Sequence, residues 1–364
     1  MGQADWKISI TSFNCGKALP YDKVSKLTPI IEKLIPDDQC NDICVLGFQE
    51  LTEIWMGSFP DYMELIFDNI GKCAQTILGN VFGIEYQVAA SNHLGTLGLV
   101  ILTKKSIDIG QKFLTSCKRG QLGSSLKGGA AISIDLKDDT RDDTFIFICN
   151  HLAANKGKFN ERIDDYNHIM SHCDSTFRMR TLQSSHLFFF GDLNFRSNKP
   201  IYDFSESAII EKVLTSHDEL NILKQENMLF QGFEEAKINF PPTYKYSIKN
   251  TKSNEYSTKR IPSWCDRIFY RHYKTPTRTK YFAIPRTEEL RFTDHQPVNL
   301  TIEVQLGVQD IAPIQIRKQY GSSIDLSKIS DPIIGYGDWF IQRHPIIGSI
   351  MIVITLVLLY ALLF

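Results

Sequence analysis

The sequence predicts a layered α/β fold, and three observations support this class. Short β-rich runs alternate with helix-like patterns through roughly the first 305 residues. Several runs, such as Cys44–Phe48 and Leu187–Phe190, are continuously apolar, which is typical of strands covered on both faces of a sheet. Polar residues follow these runs directly, at the strand ends where α/β proteins build their sites. Helices that cover both faces of such a sheet give a layered domain.

The individual elements follow from periodicity and length. Seven short apolar or β-branched runs are interpreted as strands: Trp6–Phe13, Ile43–Phe48, Leu97–Leu102, Thr144–Cys149, Leu187–Phe190, Arg267–Arg271 and Pro297–Val304. Four longer segments with helical spacing of apolar residues are interpreted as helices: Lys23–Leu34, Tyr62–Leu78, Asn160–Cys173 and Ser205–Leu214. The polar stretch Asn250–Thr258 is predicted to be a loop.

Composition excludes several classes of protein. The 364 residues are 43% hydrophobic and 22% charged, which is too apolar for a disordered chain. The net charge of −1 argues against a chain-wide surface for nucleic acid, although a local basic pocket is still allowed. The eight cysteines are scattered, which is typical of reduced cytosolic thiols rather than of a disulfide framework.

The C-terminal segment 346–364 is uncharged over its 19 residues. As a helix it would extend about 28 Å, close to the ~30 Å hydrocarbon thickness of a bilayer, so we expect a transmembrane anchor. Met1–Ile10 has no apolar signal region, so we expect the remainder to face the cytosol. The sequence therefore divides into a main domain (1–306), a connector (307–345) with an amphipathic, interfacial stretch near Asp331–Phe340, and the anchor.

The membrane itself is predicted from the flanks of the anchor. Arg343 and His344 precede it, in keeping with the positive-inside tendency, and no basic residue follows it. We expect the endoplasmic reticulum membrane rather than the mitochondrial outer membrane.

Five strand ends carry the residues that could do chemistry. These are Gln49-Glu50, Asn150-His151, Asp192 to Arg196, Pro262 to Asp266, and Thr293 to Gln296. Together they supply carboxylates, amides and two histidines, which is the set that metal-assisted phosphoester hydrolysis needs. Glu50 is a candidate oxygen ligand for Mg²⁺, and Asp192 is a candidate base for water. The histidines could stabilise charge on phosphoryl oxygens, and either Asp266 or Asp294 could orient His295.

Two long segments carry a family resemblance. Phe190–Arg196 and Arg260–Ile268 resemble the signature motifs of the inositol polyphosphate 5-phosphatases, in the DNase I-like endonuclease/exonuclease/phosphatase superfamily. Gln49-Glu50, His151–Ala154, Pro241–Lys245 and Thr293–Val298 fit the same family. The resemblance runs from about Asn14 to Val304. It implies a four-layer α/β/β/α sandwich, in which helices flank two packed mixed β-sheets, and makes the main domain the catalytic one.

The resemblance also implies a role for each matching residue. Glu50 would bind Mg²⁺ with Asn14 close by, and Asp294 would support the metal or its waters. Asp192 would activate water, and Asn194 would orient the water or the phosphate.

The remaining roles concern the substrate. His295 would contact the scissile phosphate with Asp266 holding its ring, and His151 would contact that phosphate from the other side. Tyr244, Lys245 and Arg260 match the positions that grip the neighbouring 4-phosphate. Lys127 and Arg196 would be further substrate contacts.

Two positions depart from the family pattern. Leu126 stands where the family often has Asn before Lys-Gly-Gly, so one amide contact near the phosphate is missing or replaced. Thr258 stands two residues before Arg260, where a second basic residue is usual, and Lys259 is the candidate substitute. These departures concern the contacts to the phosphates rather than the residues that carry out the chemistry.

The implied activity is Mg²⁺-dependent removal of the 5-phosphate of phosphatidylinositol 4,5-bisphosphate by direct in-line attack of water. The expected partner is a phosphoinositide in a membrane, with no nucleic acid, and the protein is expected to be a monomer. The alternatives are a catalytically dead phosphoinositide tether and a nuclease of the same superfamily. Cys265 and Arg271 also fit the Cys-x5-Arg spacing of cysteine phosphatases, but the intervening residues favour a strand and contain no glycine.

The segment Ile54–Phe59 leaves two interpretations open. It could pack in the core, or it could be an exposed apolar loop that enters the bilayer beside the site.

Overall fold

A computed structural model describes residues 5–177, 179–248, 254–274, 277–304, 312–317 and 327–350. Within them, twelve strands are present: β1 (Trp6–Asn14), β2 (Ile43–Gln49), β3 (Tyr86–Leu94), β4 (Leu97–Lys104), β5 (Asp108–Lys118), β6 (Gly128–Lys137), β7 (Asp142–His151), β8 (His186–Asp192), β9 (Phe233–Glu234), β10 (Asp266–Arg271), β11 (Arg278–Ala283) and β12 (Val298–Val304). All seven predicted strands are confirmed, most of them longer than predicted. The five that the prediction missed are β3, β5, β6, β9 and β11.

The described residues also form eight α-helices: α1 (Val24–Leu34), α2 (Ile54–Gly57), α3 (Pro60–Phe82), α4 (Phe159–Phe177), α5 (Met179–Ser184), α6 (Ser207–Ser216), α7 (Glu219–Gln225) and α8 (Ser327–Arg343). The four predicted helices correspond to α1, α3, α4 and α6. Part of the predicted loop at 250–258 lies outside the described residues.

The strands make two mixed six-stranded sheets. The first has the order β11-β12-β1-β2-β4-β3 and the second the order β5-β6-β7-β8-β10-β9. Each sheet contains one parallel pair of strands near its centre, β1–β2 in the first sheet and β7–β8 in the second. All the other neighbouring strands in each sheet are antiparallel. The two sheets therefore share the same arrangement around a central parallel pair.

The sheets pack face to face, with helices on their outer faces. Ile10 and Val45 of the first sheet lie in one apolar core with Phe147 and Phe190 of the second. The approach is closest at Gly47, where an added Cβ would lie 2.4 Å from Cε2 of Phe190. Helices α1 and α3 cover the first sheet through one outer core and α4 covers the second through another. The four-layer sandwich predicted from the resemblance is thus confirmed.

The C-terminal predictions are tested only in part. Residues 351–364 of the predicted anchor lie outside the described residues. Within the described part of the chain, no helix combines the length and apolar character that crossing a bilayer requires. Helix α8 falls on the connector, where the amphipathic stretch was expected.

Candidate active site

The two central parallel pairs end at the same edge of the sandwich. In the first pair Asn14 is in register with Gln49, and in the second His151 is in register with Asp192. Parallel strands deliver their carboxyl ends to one edge, and the face-to-face packing brings the two edges together. The predicted site residues Asn14, His151 and Asp192 meet there for this reason, together with Gln49, which directly precedes Glu50.

Asp192 is the centre of the arrangement. It is 2% exposed, and its Oδ2 accepts a hydrogen bond from Asn14 Nδ2 at 2.9 Å. His151 Nε2 lies 3.3 Å from the same oxygen, while Oδ1 accepts from the backbone N–H of Asn194 at 3.0 Å. Residues from both sheets thus hold this carboxylate in one orientation.

The charge of Asp192 is also fixed by its neighbours. Burial alone would raise the pKa of this carboxyl group, but the hydrogen bond from His151 and the positive charges of His295 and Lys127 hold the pKa well below its usual value. The group therefore stays ionised at neutral pH, as an acceptor for a water molecule must.

Gly191 allows Asp192 to reach this position. Its φ is +137°, and an added Cβ would lie 2.0 Å from the carbonyl oxygen of Asn150 on the neighbouring strand. Only glycine fits this combination of backbone angle and close approach.

His295 and Asp266 form a buried pair beside Asp192. Nδ1 of His295 lies 2.9 Å and 3.2 Å from the two carboxylate oxygens of Asp266, whose Oδ2 also accepts from Thr243 Oγ1 at 2.7 Å. Burial by itself would lower the pKa of His295, but the carboxylates of Asp266, Asp192 and Asp294 outweigh it and raise the pKa to about 9. His295 is consequently an imidazolium at neutral pH, with Nε2 facing Asp192 at 3.9 Å.

Glu50, Lys127 and His151 form a second charged group. Oε1 of Glu50 lies 3.7 Å from Nε2 of His151 and 4.0 Å from Nζ of Lys127, and the ammonium contacts the His151 ring directly. Burial and then the Lys127 charge lower the pKa of His151, and burial also lowers the pKa of Lys127. His151 thus differs from His295, because it is held neutral where His295 is held charged.

Two residues at the strand ends adopt left-handed backbone conformations. Glu50 has φ +45° and Asn194 has φ +58°. Such angles are uncommon for residues other than glycine, and asparagine tolerates them better than glutamate. The backbone of Glu50 is held by Lys17, whose backbone N–H donates to the Glu50 carbonyl oxygen at 2.6 Å. Strain of this kind clusters at functional sites, in keeping with the predicted role of Glu50.

The donors at this edge fit a hard divalent cation. The side chain of Glu50 is a third exposed, and its described polar contacts are the cationic Lys127 and the ring of His151. The amide oxygen of Asn14 accepts from the N–H of Gly16 at 3.0 Å and keeps a second lone pair. Carboxylate and amide oxygens are the ligands that Mg²⁺ prefers.

Asp192, Asp266 and His295 also come close enough to share an ion, with ligand atoms all within 4.8 Å. However, Nδ1 of His295 already pairs with Asp266. This trio is better suited to holding a proton than a metal.

The predicted 4-phosphate residues lie at the rim of the site. The ring of Tyr244 packs 4.6 Å from the ring of His295. The guanidinium of Arg196 lies 4.4 Å from the centre of the Tyr244 ring. Lys245 pairs with Asp294. Tyr244 and Lys245 therefore lie beside His295 and its neighbour Asp294.

Arg260 and Lys259 lie further out. Both are exposed, and Arg260 donates to Oδ1 of Asn155 at 3.2 Å, on the loop that follows His151. The structure brings neither of them into contact with Lys245. Asn194 is also engaged within the protein, because its Nδ2 donates to the carbonyl of Leu152 and its Oδ1 accepts from Arg196.

Sequence reasoning missed three residues that position this site. Thr243 holds Asp266, and Thr293 donates to the backbone carbonyl of Asn14 at 2.9 Å. Nη1 of Arg286 donates to the carbonyls of Thr293 and His295 at 3.0 and 2.8 Å. Both threonines belong to segments that matched the family, so a signal was present. Arg286 lies in no such segment and gave none.

The cysteine-phosphatase alternative does not fit the geometry. Cys265 is fully buried, and burial raises the pKa of its thiol well above the usual value. Arg271 lies at the opposite end of β10, where it donates to the carbonyls of Leu182 and Gln183. No phosphate could contact both side chains.

Ile54–Phe59 is not a free loop. It forms α2 and the residues that follow it, with Met56 buried and Trp55 partly buried against the outer core of the first sheet. The ring of Phe59 packs 5.5 Å from that of Tyr336 on α8. Of the two open interpretations, packing against the protein is the one observed.

Comparison with known families shows that residues 11–301 match the family described as "Endonuclease/Exonuclease/phosphatase family 2". Two curated relatives are the polyphosphatidylinositol phosphatase INP53 of Saccharomyces cerevisiae, 28% identical over 85% of this chain, and the inositol-1,4,5-trisphosphate 5-phosphatase 1 of Schizosaccharomyces pombe, 28% identical over 82%. The chain spans only 28% and 27% of the lengths of these two relatives.

Solved structures support the fold. The inositol polyphosphate 5-phosphatase domain of a synaptojanin, in complex with inositol (1,4)-bisphosphate and a calcium ion, is 24% identical, with a TM-score of 0.62 over 95% of this chain and 93% of that one. A Cimex nitrophorin ferrous NO complex is 18% identical, with a TM-score of 0.57 over 83% of this chain and 99% of that one. Proteins with such different ligands share the fold, so function must be argued from the site.

Proposed function

Since this chain belongs to endonuclease/exonuclease/phosphatase family 2, and its curated relatives are inositol polyphosphate and phosphoinositide 5-phosphatases, we propose that it is a metal-dependent phosphoinositide 5-phosphatase. The proposed reaction is hydrolysis of the 5-phosphate of phosphatidylinositol 4,5-bisphosphate to phosphatidylinositol 4-phosphate. The observation that carries the proposal is the buried ionised Asp192, held between a neutral His151 and a cationic His295 at one edge of the sandwich.

Each of these residues has a step in the proposed mechanism. Asp192 accepts a hydrogen bond from the attacking water and orients it in line with the scissile bond. The imidazolium of His295, fixed by Asp266, donates from Nε2 to a phosphoryl oxygen and stabilises the charge of the transition state. His151 and Lys127 supply donors on the opposite side.

Glu50 would hold Mg²⁺ with Asn14 and Asp294 as the further oxygen donors, and the ion when bound would neutralise phosphoryl charge as a Lewis acid. The bound calcium of the synaptojanin domain supports a divalent cation. We propose magnesium because the donors are hard oxygens and the reaction is hydrolysis of a phosphate ester.

The substrate and its location complete the proposal. Tyr244, Lys245 and Arg260 would recognise the 4-phosphate, because a bisphosphate headgroup presents a second dianion that cationic side chains can pair with. The apolar segment 346–364 would anchor the protein in the endoplasmic reticulum membrane with the catalytic domain in the cytosol.

The test is phosphate release by the full chain from phosphatidylinositol 4,5-bisphosphate, with Mg²⁺ or with EDTA, and chromatographic identification of the lipid product. We expect phosphatidylinositol 4-phosphate and no turnover in EDTA. Phosphatidylinositol 5-phosphate as product, or retained turnover in EDTA, would contradict the proposal.

Variants separate the roles. Asp192→Ala should lower turnover by at least ~100-fold, whereas Cys265→Ser should retain most of it. Lys245→Met should reduce the preference for phosphatidylinositol 4,5-bisphosphate over phosphatidylinositol 5-phosphate, which lacks the 4-phosphate. An unchanged preference would exclude Lys245 from 4-phosphate recognition.

A further inference from the structure

Helix α8 turns its polar side chains toward the catalytic domain. Oδ2 of Asp338 accepts from the backbone N–H of Trp55 at 3.0 Å, and Oδ1 of Asp331 accepts from that of Ser125 at 2.7 Å. Gly335 lies between them, where an added Cβ would be 2.5 Å from Cβ of Ser58. The helix is thus docked by hydrogen bonds and a close backbone approach, outside the segment that matches the family.

The opposite face of α8 is apolar and open. Ile329, Ile333 and Tyr336 follow one another at helical spacing and are 62%, 66% and 62% exposed, with the Tyr336 ring contacting Phe59 along one edge. This is the reverse of a helix on a water-soluble protein, which buries its apolar stripe against the core and exposes its polar one. An apolar partner must cover this face.

Three features point to a lipid surface as that partner. The chain that follows α8 exposes Ile346, Ile347 and Ile350, and it continues into the uncharged run that ends at 364. Lys328 and Arg343, at the two ends of the helix, are exposed and supply positive charge at the rim of the apolar face. A helix with an apolar face and basic flanks is typical of the interface between headgroups and acyl chains.

The docking contacts place α8 beside the candidate active site. Trp55 follows Glu50 by five residues, and Ser125 precedes Lys127 by two. Glu50 and Lys127 are themselves neighbours in the site. The helix therefore joins the two segments that lead into the charged group at the site.

We propose that α8 is an interfacial adapter, with its apolar face in the bilayer and its polar face fixed to the catalytic domain. It holds the site at the membrane surface that carries the anchor. Resting on the proposed function, this predicts that the substrate headgroups belong to the same membrane.

The direct test is a fluorescence measurement on the full chain in phosphatidylcholine vesicles brominated on the acyl chains close to the headgroup. Ile333→Trp introduces a reporter on the apolar face of α8. Val81→Trp is the matched control, because Val81 is 47% exposed but far from α8. The N-terminus of α3 is near α8, and Val81 lies about 30 Å further along α3. The emission that each variant adds to the parent protein is compared between brominated and unbrominated vesicles.

We expect quenching of the added emission in Ile333→Trp and none in Val81→Trp, since an interfacial helix places its apolar face about 5–10 Å into the boundary. Equal emission in the two lipids for Ile333→Trp would overturn the proposal. So would failure of the chain to float with vesicles, or protection of the reporter by a second copy in a cross-linked dimer.

A second measurement tests the adapter role. Asp338→Ala and a triple Ile329→Ser/Ile333→Ser/Tyr336→Ser variant are assayed on soluble inositol 1,4,5-trisphosphate and on phosphatidylinositol 4,5-bisphosphate in vesicles. We expect unchanged turnover of the soluble substrate and a loss of about tenfold or more on vesicles, because the site loses its fixed position at the surface. Equal turnover on vesicles would refute the adapter, whereas absence of activity in the parent protein on both substrates would refute only the proposed function.

Discussion

Replacing Asp266 with asparagine should convert His295 from a cation at neutral pH, with a pKa of about 9, to a group that titrates near neutral pH. Asparagine keeps the shape of the side chain and can still accept from Thr243, so the change is mainly one of charge. Asp266 is the nearest carboxylate to His295, with oxygens at 2.9 and 3.2 Å from Nδ1.

The magnitude follows from the pKa of His295. A pKa of about 9 leaves roughly 1% of the imidazole neutral at pH 7. At the ordinary value of 6.5, about three quarters would be neutral, so the cationic fraction falls about fourfold. Asp192 and Asp294 still favour the cation in the variant, whereas burial opposes it. We expect turnover at pH 7 to fall by about fourfold and the alkaline limb of the rate profile to move down toward pH 6.5.

The assay is kcat/KM for a soluble inositol trisphosphate from about pH 5.5 to 9.5, at saturating Mg²⁺. Asp143→Asn is the matched control, because Asp143 is a buried carboxylate that lies 3.5 Å from His186 Nε2 and accepts from Trp6, away from the site. The control should lose stability and keep its profile. Parallel profiles for Asp266→Asn and the parent would refute the view that the charge of His295 is used.

Three further predictions concern the metal, a positioning residue and the backbone. Glu50→Gln should raise the Mg²⁺ concentration for half-maximal turnover by about tenfold or more in a metal titration, since it removes a charged ligand; an unchanged midpoint would remove Glu50 from the metal site. Thr243→Val should move the alkaline limb to lower pH by less than Asp266→Asn does, because Asp266 loses a buried hydrogen-bond donor but keeps its charge. It should also lower the free energy of unfolding in urea by about 1–3 kcal/mol. A larger shift of the limb than that of Asp266→Asn would contradict this order. Gly191→Ala should lower the free energy of unfolding by at least about 2 kcal/mol, since its Cβ would meet the carbonyl oxygen of Asn150 at 2.0 Å; a stability within experimental error of the parent would show that β8 can shift without cost.

The paired state of His295 also affects stability against pH. Its folded-state pKa is raised above 6.5, so the contribution of the pair to folding is fully present below about pH 6.5 and is lost as the pH rises through about 9. Asp266→Asn should flatten this part of the stability curve.

The strands that the sequence predicted are buried along most of their length. β2 and β8 are buried at every position, so their apolar runs stand out. The missed strand β5 is mostly exposed, and β11 has three exposed residues at its start. The sequences of both strands therefore contain many polar residues and lack the apolar run that predicts a strand. β6 begins Gly-Gly-Ala-Ala, residue types that are depleted in strands, and its strand state comes from pairing with β5 and β7.

The site was more predictable than the fold because its residues lie in contiguous motifs at strand ends. Asp192, Asp266 and His295, which belong to three of these motifs, lie together in the structure. The support of Arg286 for the His295 loop was not predictable, because it acts through backbone carbonyls that leave no pattern in sequence.

The pairing of β1 with β12 has a consequence for biosynthesis. The first strand of the chain is in register with the last strand of the sandwich, from Trp6 opposite Val304 to Ser12 opposite Val298. A growing chain therefore carries one edge of β1 unpaired until nearly the whole domain has left the ribosome, which exposes it to chaperones and to other chains. His295 arrives only with the loop before β12, together with Asp294. A nascent or prematurely ended chain that stops short of this loop therefore has Glu50 and Asp192 but no imidazolium beside them.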